Sequence, residues 1–407
     1  MAKYQLEFNQ YLDRTIFYQP TIKLKKTNEK KNKENDIDIK NDTPIDLSRI
    51  LINTVKREKY SKRTTRVTNV IHWGQRKLLL TEIEFLTIYF KKKINDKPTY
   101  VVYAGAAPGT HILYLSKLFP TVHFELYDPR NFSKKLTYNS KVQNINTYVQ
   151  YFTDKTAKKW SPLVASDKDI LFISDIRSSS LTMKFDEIEA CIASDNQNQM
   201  NWYNIIKPVM AMFKFRLPYD SDEKTTYLEG DIYIQPYAPL SSTETRLVVS
   251  KDAKMIPYDN RTYEEQMYYF NNYTREMPHK LCNKSYNLCN NDDIYPSNRY
   301  GIRDDFDGMS ELFILQRYLR CINSMGVELT DSTTTNVYDM VNEISKELSN
   351  NRTLNTEQPA NDFNKKIMLE IYKSGHLPKG IKLNQNTYNT YIAPKYDYFK
   401  GLGFKLK

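Results

Sequence analysis

One short stretch limits what this chain can fold into: TYVVYAGAAPGTHILYLSKLF, residues 99–119. Thr99–Gly105 is an apolar, β-branched run that ends on glycine, and it reads as a strand. AAPGT supplies small residues and a breaker, and HILYLSKLF resumes at helical spacing. A strand running through a small-residue loop into a helix is the opening unit of an open α/β sheet. Ligands of such sheets lie beyond the carboxyl ends of the strands. Small residues there let the backbone approach a ligand closely. Asp128 closes the next strand, VHFELYD, 19 residues after Gly109. A carboxylate at that position can accept hydrogen bonds from ribose hydroxyls. The loop is not GxGxxG, and Pro108 before its last glycine argues against the ordinary dinucleotide fingerprint. A nucleoside-bearing cofactor fits, as either a dinucleotide or S-adenosylmethionine. The competing reading is a tight strand-to-helix turn without a ligand.

The pattern continues on both sides. WGQRKLLLTEIEFLTIYF, within residues 72–90, has apolar residues at helical spacing. Residues 144–152 form a third candidate strand. Asp169–Asp175 (DILFISD) is a continuous apolar fourth, as expected of a strand buried on both faces. Glu187–Ile206 reads as a helix and Val209–Leu217 (VMAMFKFRL) as a fifth strand. Asp231–Tyr237 and Glu244–Ser250 are two more strands with little room for a helix between them, so one of them runs antiparallel. Residues 304–325 are helical, and the tail from Gly326 is weakly patterned. The expected fold is Rossmann-like α/β: a mostly parallel central sheet with one antiparallel strand, flanked by helices. Three parts follow: an N-terminal extension over 1–70, a cofactor-binding domain over 71–325, and a C-terminal extension over 326–407 of underived role. Residues 22–42 are charged and polar, which predicts a flexible, solvated insertion. No internal repeat is seen.

Bulk properties narrow the partner. The net charge is +11, which favours a polyanion such as RNA. Residues 55–67 (VKREKYSKRTTRV) are strongly basic and suited to track a phosphate backbone, or to serve as a solvated surface. The 32 tyrosines include candidates for stacking on bases. The cysteines Cys191, Cys282, Cys289 and Cys321 form no CxxC pair, so no zinc site is expected and free thiols are. No apolar run is long enough to span a bilayer, and MAKYQLEFNQ lacks the apolar stretch of a secretory signal. The expectation is a soluble intracellular protein without a membrane or metal partner.

Four ionisable residues stand in or beside apolar elements: Lys77, Asp175, Lys214 and Glu244. A lone strand lysine is ordinarily a snorkelling edge residue. Asp175 and Lys214 form the sharper pair, since both fall near strand carboxyl ends beside the loop. A ribose hydroxyl is a poor nucleophile near neutral pH. A lysine serves as its base only when its pKa is lowered. Burial and a second lysine lower it, whereas carboxylates raise it.

In this order, WGQRKLLLTEIEFL, VVYAGAAPGTHILYL, LFISDIRS, FKFRLPY, QPYAPLSSTETRL and TYEEQMYYFN resemble the poxvirus cap-specific 2′-O-methyltransferases. Those enzymes double as the small processivity subunit of the poly(A) polymerase. The resemblance runs from about residue 70 to 325, and AGAAPGTHI with the ordered Lys, Asp, Lys, Glu set is its specific part. It implies a viral, S-adenosylmethionine-dependent methyltransferase fold acting in mRNA capping on capped mRNA. The catalytic tetrad would be Lys77, Asp175, Lys214 and Glu244, with Lys214 as base. It implies cofactor contacts from Gln75, Tyr103, Gly105, Pro108, Gly109, Asp128 and Arg130. For the cap it implies Tyr219 and Tyr18 as stacking rings, Glu264 and Asp220 as base-reading carboxylates, and Arg216 near the RNA path. Asp220 is one residue off the family spacing, a pocket tyrosine of the family is Ser241 here, and the charged insertion separates Tyr18 from the first helix. N7-methylation makes guanine cationic, so two electron-rich faces around it add a cation–π contribution. The resemblance also implies a cytoplasmic location and a poly(A) polymerase catalytic subunit as partner. An RNA-binding accessory subunit without catalysis is the rival reading. Methylation of a base is a third, but it would call for a proline-proline-aromatic loop after the fourth strand, where this chain has SDIRSSS.

Overall fold

The computed structural model describes residues 5–8, 22–25, 49–51, 56–61, 73–137, 144–180, 182–239, 242–275, 306–322 and 337–348. The chain divides into two units. The larger comprises Arg57–Tyr268 with Ser310–Thr353, and the smaller takes the rest. Tyr18, Ser241, Cys282, Cys289 and the aromatic C-terminal segment lie outside the described residues, as does most of the charged insertion. Its first residues are described: Ile22–Lys25 pairs antiparallel with Gln5–Phe8, where the composition alone predicts a solvated segment. Backbone pairing suffices to place four residues in a ladder whatever the charge of their neighbours.

The larger unit is built on β1 (Thr99–Ala104), β2 (Val122–Asp128), β3 (Ile145–Val149), β4 (Asp169–Ser174), β5 (Met210–Phe215), β6 (Lys224–Leu228), β7 (Asp231–Tyr233), β8 (Thr245–Ser250) and β9 (Met255–Asp259). Among the described residues of this unit, seven of them form one sheet in the order β7-β8-β5-β4-β1-β2-β3. β1 to β5 are parallel, while β8 runs antiparallel to both β5 and β7. The mostly parallel sheet with one reversed strand is therefore present. β6 and β9 form a separate antiparallel pair. Their polar sequence, KTTYL and MIPYD, carries no clean alternation, so sequence reasoning misses them.

The helices are α1 (Gly74–Lys92), α2 (Ile112–Leu118), α3 (Lys134–Thr137), α4 (Asp154–Lys158), α5 (Phe185–Ile206), α6 (Asn260–Tyr269), α7 (Phe306–Ile322) and α8 (Val337–Leu348). The β1 and β4 runs are apolar because both sheet faces are covered. Val101, Val102, Leu171, Phe172, Phe213 and Leu247 are wholly buried, as are Leu79, Leu80, Ile83 and Leu86 of α1. Each such side chain contributes roughly 1.5–3 kcal/mol. α8 falls in the tail that reads as weakly patterned. Its Val337, Met340, Val341 and Ile344 are nonetheless buried at helical spacing. Arg76 of α1 is buried and gives Glu311 of α7 a bidentate pair, its shortest contact 2.6 Å, and donates to Ser345 of α8 at 3.0 Å. That pairing joins the C-terminal helices to the sheet's first helix.

Chain order places the ligand side of the sheet. From β1 the chain moves outward through β2 and β3, then crosses to β4 and β5 on the other side of β1. The strand order reverses between β1 and β4, and a crevice opens beyond their carboxyl ends. The loop Gly105–Gly109 and Asp175 both stand there. Gly105 adopts φ +83°, and a Cβ on it would meet the Asp175 carbonyl carbon and the Ile176 nitrogen at 2.9 Å. The glycine is therefore required twice, for its conformation and for its closeness to the neighbouring strand end. Gly105→Ala should lower stability by about 2 kcal/mol or more. A urea-denaturation midpoint equal to that of wild type would contradict the required closeness.

Candidate active site

Four strand or helix ends bring the tetrad together. Lys77 comes from the first turn of α1, Asp175 directly follows β4, Lys214 is in β5, and Glu244 directly precedes β8. Lys77 Nζ lies 3.0 Å from Glu244 Oε1. Lys214 Nζ lies 3.2 Å from Asp175 Oδ1 and 3.5 Å from Glu244 Oε2. The two carboxylates thus share Lys214, and Lys77 holds the outer edge of Glu244. The antiparallel register sets Arg246 directly opposite Lys214. Two cations across one ladder repel unless an anion stands between them. Asp175 is that anion: Arg246 Nη2 reaches its Oδ1 at 2.7 Å. Gln235 accepts from Arg246 Nε at 2.8 Å and donates to Glu244 Oε1 at 3.2 Å, closing the ring of contacts. Arg177 Nη2 adds a third cation to Glu244 at 3.3 Å.

Burial alone would raise the Asp175 carboxyl. Arg246 and Lys214 outweigh it and hold the group at about 2. Glu244 is likewise buried, and Lys77, Lys214 and Arg246 hold it well below the usual carboxylate range. Desolvation pushes the Lys77 amine down against the pull of Glu244. The site therefore keeps both carboxylates ionised through the neutral range, with lysine nitrogens held beside them.

The cofactor loop is braced from below. His111 is wholly buried between Gln75 Oε1, 2.8 Å from Nδ1, and Glu82 Oε1, 3.0 Å from Nε2. Tyr103 is buried in β1 and donates to the same Glu82 oxygen at 2.8 Å. Thr110 donates to Gln75 Oε1 at 2.6 Å. Gln75 is thus at the loop, while the Tyr103 hydroxyl supports it through Glu82. Gly109 adopts φ +64°. Pro108 directly precedes it, and its carbonyl accepts from Ser133 N at 2.9 Å. Asp128 is buried. It accepts from Ala107 N (3.1 Å), Arg130 N (2.8 Å), Arg130 Nε (3.0 Å) and Arg130 Nη2 (3.1 Å).

Of the residues expected at the cap, Arg216, Tyr219, Asp220 and Glu264 lie together, while Tyr18 is outside the described residues. Tyr219 is half-buried, with Arg216 over its ring at 4.0 Å from the centroid. Thr243 donates to the Tyr219 hydroxyl at 2.9 Å. Glu264 is buried and accepts from Asp220 N at 3.0 Å, and Arg261 pairs with the exposed Asp220 carboxylate at 3.1 Å. Burial raises the Glu264 carboxyl. The Asp220 side chain points to Arg261, and its backbone N–H, at φ +50°, serves Glu264.

Sequence reasoning missed Arg246, Gln235, Arg177, Glu82, His111 and Glu189. The only legible signal was the two-residue spacing of Glu244 and Arg246, which puts both on one face of β8. Among the described residues, no group of His, Cys, Asp and Glu has the arrangement of a metal site, and Cys191 is a free thiol. No helix of the described residues is long and apolar enough to cross a membrane.

A doubly wound sheet with a small-residue loop and a lysine–carboxylate cluster at its switch point defines a protein with a Rossmann-like α/β fold of the methyltransferase type. A family described as poly A polymerase regulatory subunit matches residues 46–317, and the chain belongs to that family. The cap-specific mRNA (nucleoside-2′-O-)-methyltransferase of fowlpox virus (strain NVSL) is 31% identical over 211 residues, 49% of this chain and 66% of the relative. That of myxoma virus (strain Lausanne) is 32% identical over 216 residues, 50% of this chain and 62% of the relative. The matches thus span just under two thirds of these relatives. The solved structure of bluetongue virus VP4, described as a multifunctional RNA-capping production line, aligns at TM-score 0.36 and 16% identity, covering 54% of this chain and 35% of that one.

The carboxylate shifts fix the acid limb of stability. Both folded-state values are depressed, so the stability they contribute is fully present above the unfolded values near 4. It is lost as pH falls, through about 2 for Asp175. Asp175→Asn should cost stability at pH 7, because it leaves Lys214 and Arg246 sharing one uncharged partner. That cost should shrink steadily between pH 4 and pH 2. Thermal unfolding of both proteins across that range checks this, and a gap independent of pH contradicts it.

Proposed function

We propose that this protein transfers a methyl group from S-adenosylmethionine to the ribose 2′-hydroxyl of the first transcribed nucleotide of 7-methylguanosine-capped RNA. The observation that carries the reading is the position of the Lys214 nitrogen, within 3.5 Å of both Asp175 and Glu244 at the sheet's switch point. A pure RNA-binding surface has no use for a lysine set into an apolar strand and oriented by two ionised carboxylates. The names of the fowlpox and myxoma relatives support the same chemistry.

The donor set fits the cofactor. Gly105, Pro108 and Gly109 form a close-approach loop, Gln75 stands over it, and Asp128 offers a buried carboxylate to a ribose. The four hydrogen bonds that Asp128 accepts use its four lone-pair sites. A ribose bound there exchanges with the Arg130 side chain, which is 70% exposed and free to move outward. Bound there, the cofactor supplies an electrophilic methyl group on a sulfonium. In its uncharged form, Lys214 takes the proton of the 2′-hydroxyl as that oxygen becomes nucleophilic, becoming the ammonium that Asp175 and Glu244 stabilise. Asp175 and Glu244 aim its nitrogen, while Lys77 and Arg246 fix the two carboxylates. Holding the two reacting atoms in line contributes much of the rate. Tyr219 stacks on the cationic base, and Glu264, with Asp220 beside it, accepts its N–H donors. Arg216 flanks the RNA; a second ring from Tyr18, outside the described residues, is only what the family resemblance implies. The tetrad itself calls for no metal. A viral element replicating in the cytoplasm would need such an enzyme there.

Lys214→Ala should lower methyl transfer by about 10²–10⁴-fold, with S-adenosylhomocysteine binding retained. A labelled-methyl assay on capped RNA, with nuclease mapping of the product, checks both the loss and the site of methylation. Wild-type activity in the variant removes Lys214 as base.

A second role has its own support in the family match: processivity subunit of a poly(A) polymerase. The two roles are compatible, since catalysis occupies one edge of one sheet. Addition of the protein to its cognate polymerase should lengthen the tails made in a single binding event. Unchanged tail lengths would leave the methyltransferase alone.

A further inference from the structure

Glu189 has no part in the chemistry described so far, yet it organises the ring assigned to the cap. It lies on α5 and points at the segment after β5. Its Oε1 is 2.5 Å from Arg216 Nη2, and its Oε2 accepts from the Tyr219 backbone N–H at 3.4 Å. Arg216 in turn sits over the Tyr219 ring, its guanidinium carbon 4.0 Å from the centroid. Thr243 fixes the far end of the ring through its hydroxyl. Tyr219 is therefore held from its backbone, one face and its tip. The face turned away from Arg216 is the one left for a base.

This stacking creates an electrostatic problem. A guanidinium draws on the same electron density that attracts a cation to the opposite face. An unpaired Arg216 would weaken the hold of Tyr219 on a cationic base and leave its hold on a neutral one unchanged. The guanidinium is 6% exposed, and its Nη1 has no hydrogen-bond partner among the described residues, so solvent screens it little. Glu189 supplies the compensating charge at close range.

We infer that Glu189 is a specificity-determining positioning residue: by neutralising Arg216 behind Tyr219, it lets the ring favour an N7-methylated, cationic guanine over a neutral one. The inference rests on the assignment of Tyr219 to the cap. Its ligand class is a purine nucleotide carrying a positive charge on the base. Glu189 acts through Arg216 and touches no substrate.

The test is direct binding of 7-methyl-GTP and GTP to the full chain, followed by tyrosine and tryptophan fluorescence. Wild type should prefer the methylated nucleotide; equal affinity for the two would overturn the cap reading itself. Glu189→Gln should lower that preference on the order of tenfold, the scale of one cation–π contact. The loss should come from weaker binding of the methylated nucleotide alone. Glu189→Asp should restore much of it. In the double variant Glu189→Gln with Arg216→Met the preference should return, because no cation remains behind the ring. A methionine in place of a buried, half-satisfied arginine is compatible with folding. A Glu189→Gln preference equal to that of wild type, or a double variant no better than the single one, overturns the inference while leaving the cap reading intact.

Discussion

The Asp175 carboxylate stands between two cations that the sheet itself forces together. The reversed strand β8 sets Arg246 opposite Lys214 in the ladder. Arg246 is buried and Lys214 nearly so at the sheet's carboxyl edge, and the ladder fixes both backbones. Asp175 Oδ1 serves both, at 2.7 Å and 3.2 Å. Removing one member of such a set leaves an uncompensated buried charge, which costs several kcal/mol. The strand reversal is thus more than a topological detail. It delivers Glu244 and Arg246 to the crevice, which a seventh parallel strand entering from the other end would not do.

The cofactor loop depends on the same carboxylate's backbone. Gly105 packs on the Asp175–Ile176 peptide so closely that a methyl group has no room. Asp175 N donates to Ala104 O at 2.9 Å across the same junction. Loop and cluster therefore share one rigid seam between β1 and β4. A group placed against Gly105 is held at fixed distance from Lys214. Under the proposed function, that seam is how packing would become reaction geometry: methyl transfer needs donor and acceptor atoms in line, and both would be referenced to one pair of strand ends.

Much of this arrangement was legible because it breaks local patterns. DILFISD is too apolar for an edge strand, and Lys214 interrupts VMAMFKFRL, so both stood out. The parallel character of the sheet followed from alternation, and the one reversed strand from residues 231–250, which leave no room for a crossover helix; the order of the strands did not. Arg246 stayed hidden because an arginine two residues into TRLVVS fits an ordinary half-exposed strand. Glu82 and His111 stayed hidden for another reason. Each lies on a helix or at its edge among apolar neighbours, where a polar residue usually faces solvent. Only the three-dimensional meeting of α1, β1 and the loop shows that they satisfy one another. Helix α8 lies in the tail that reads as weakly patterned, although Val337, Met340, Val341 and Ile344 recur at helical spacing between DSTTTN and SNN.

Burial sorts the three arginines nearest the crevice into different kinds of work. Arg246, 1% exposed, is fixed between Asp175 and Gln235 and acts as permanent charge. Arg130 pairs with a buried carboxylate but is itself largely in water, so its ion pair is cheap to exchange for other hydrogen bonds. Arg216 stands between these limits. It is buried like Arg246 but paired on one edge only, with an aromatic face as its other neighbour. A charge held in that state is the most sensitive of the three to its single carboxylate partner. Under the proposed assignment of Tyr219 to the cap, the ring beside it inherits that sensitivity, and Glu189, remote from the chemistry, sets it.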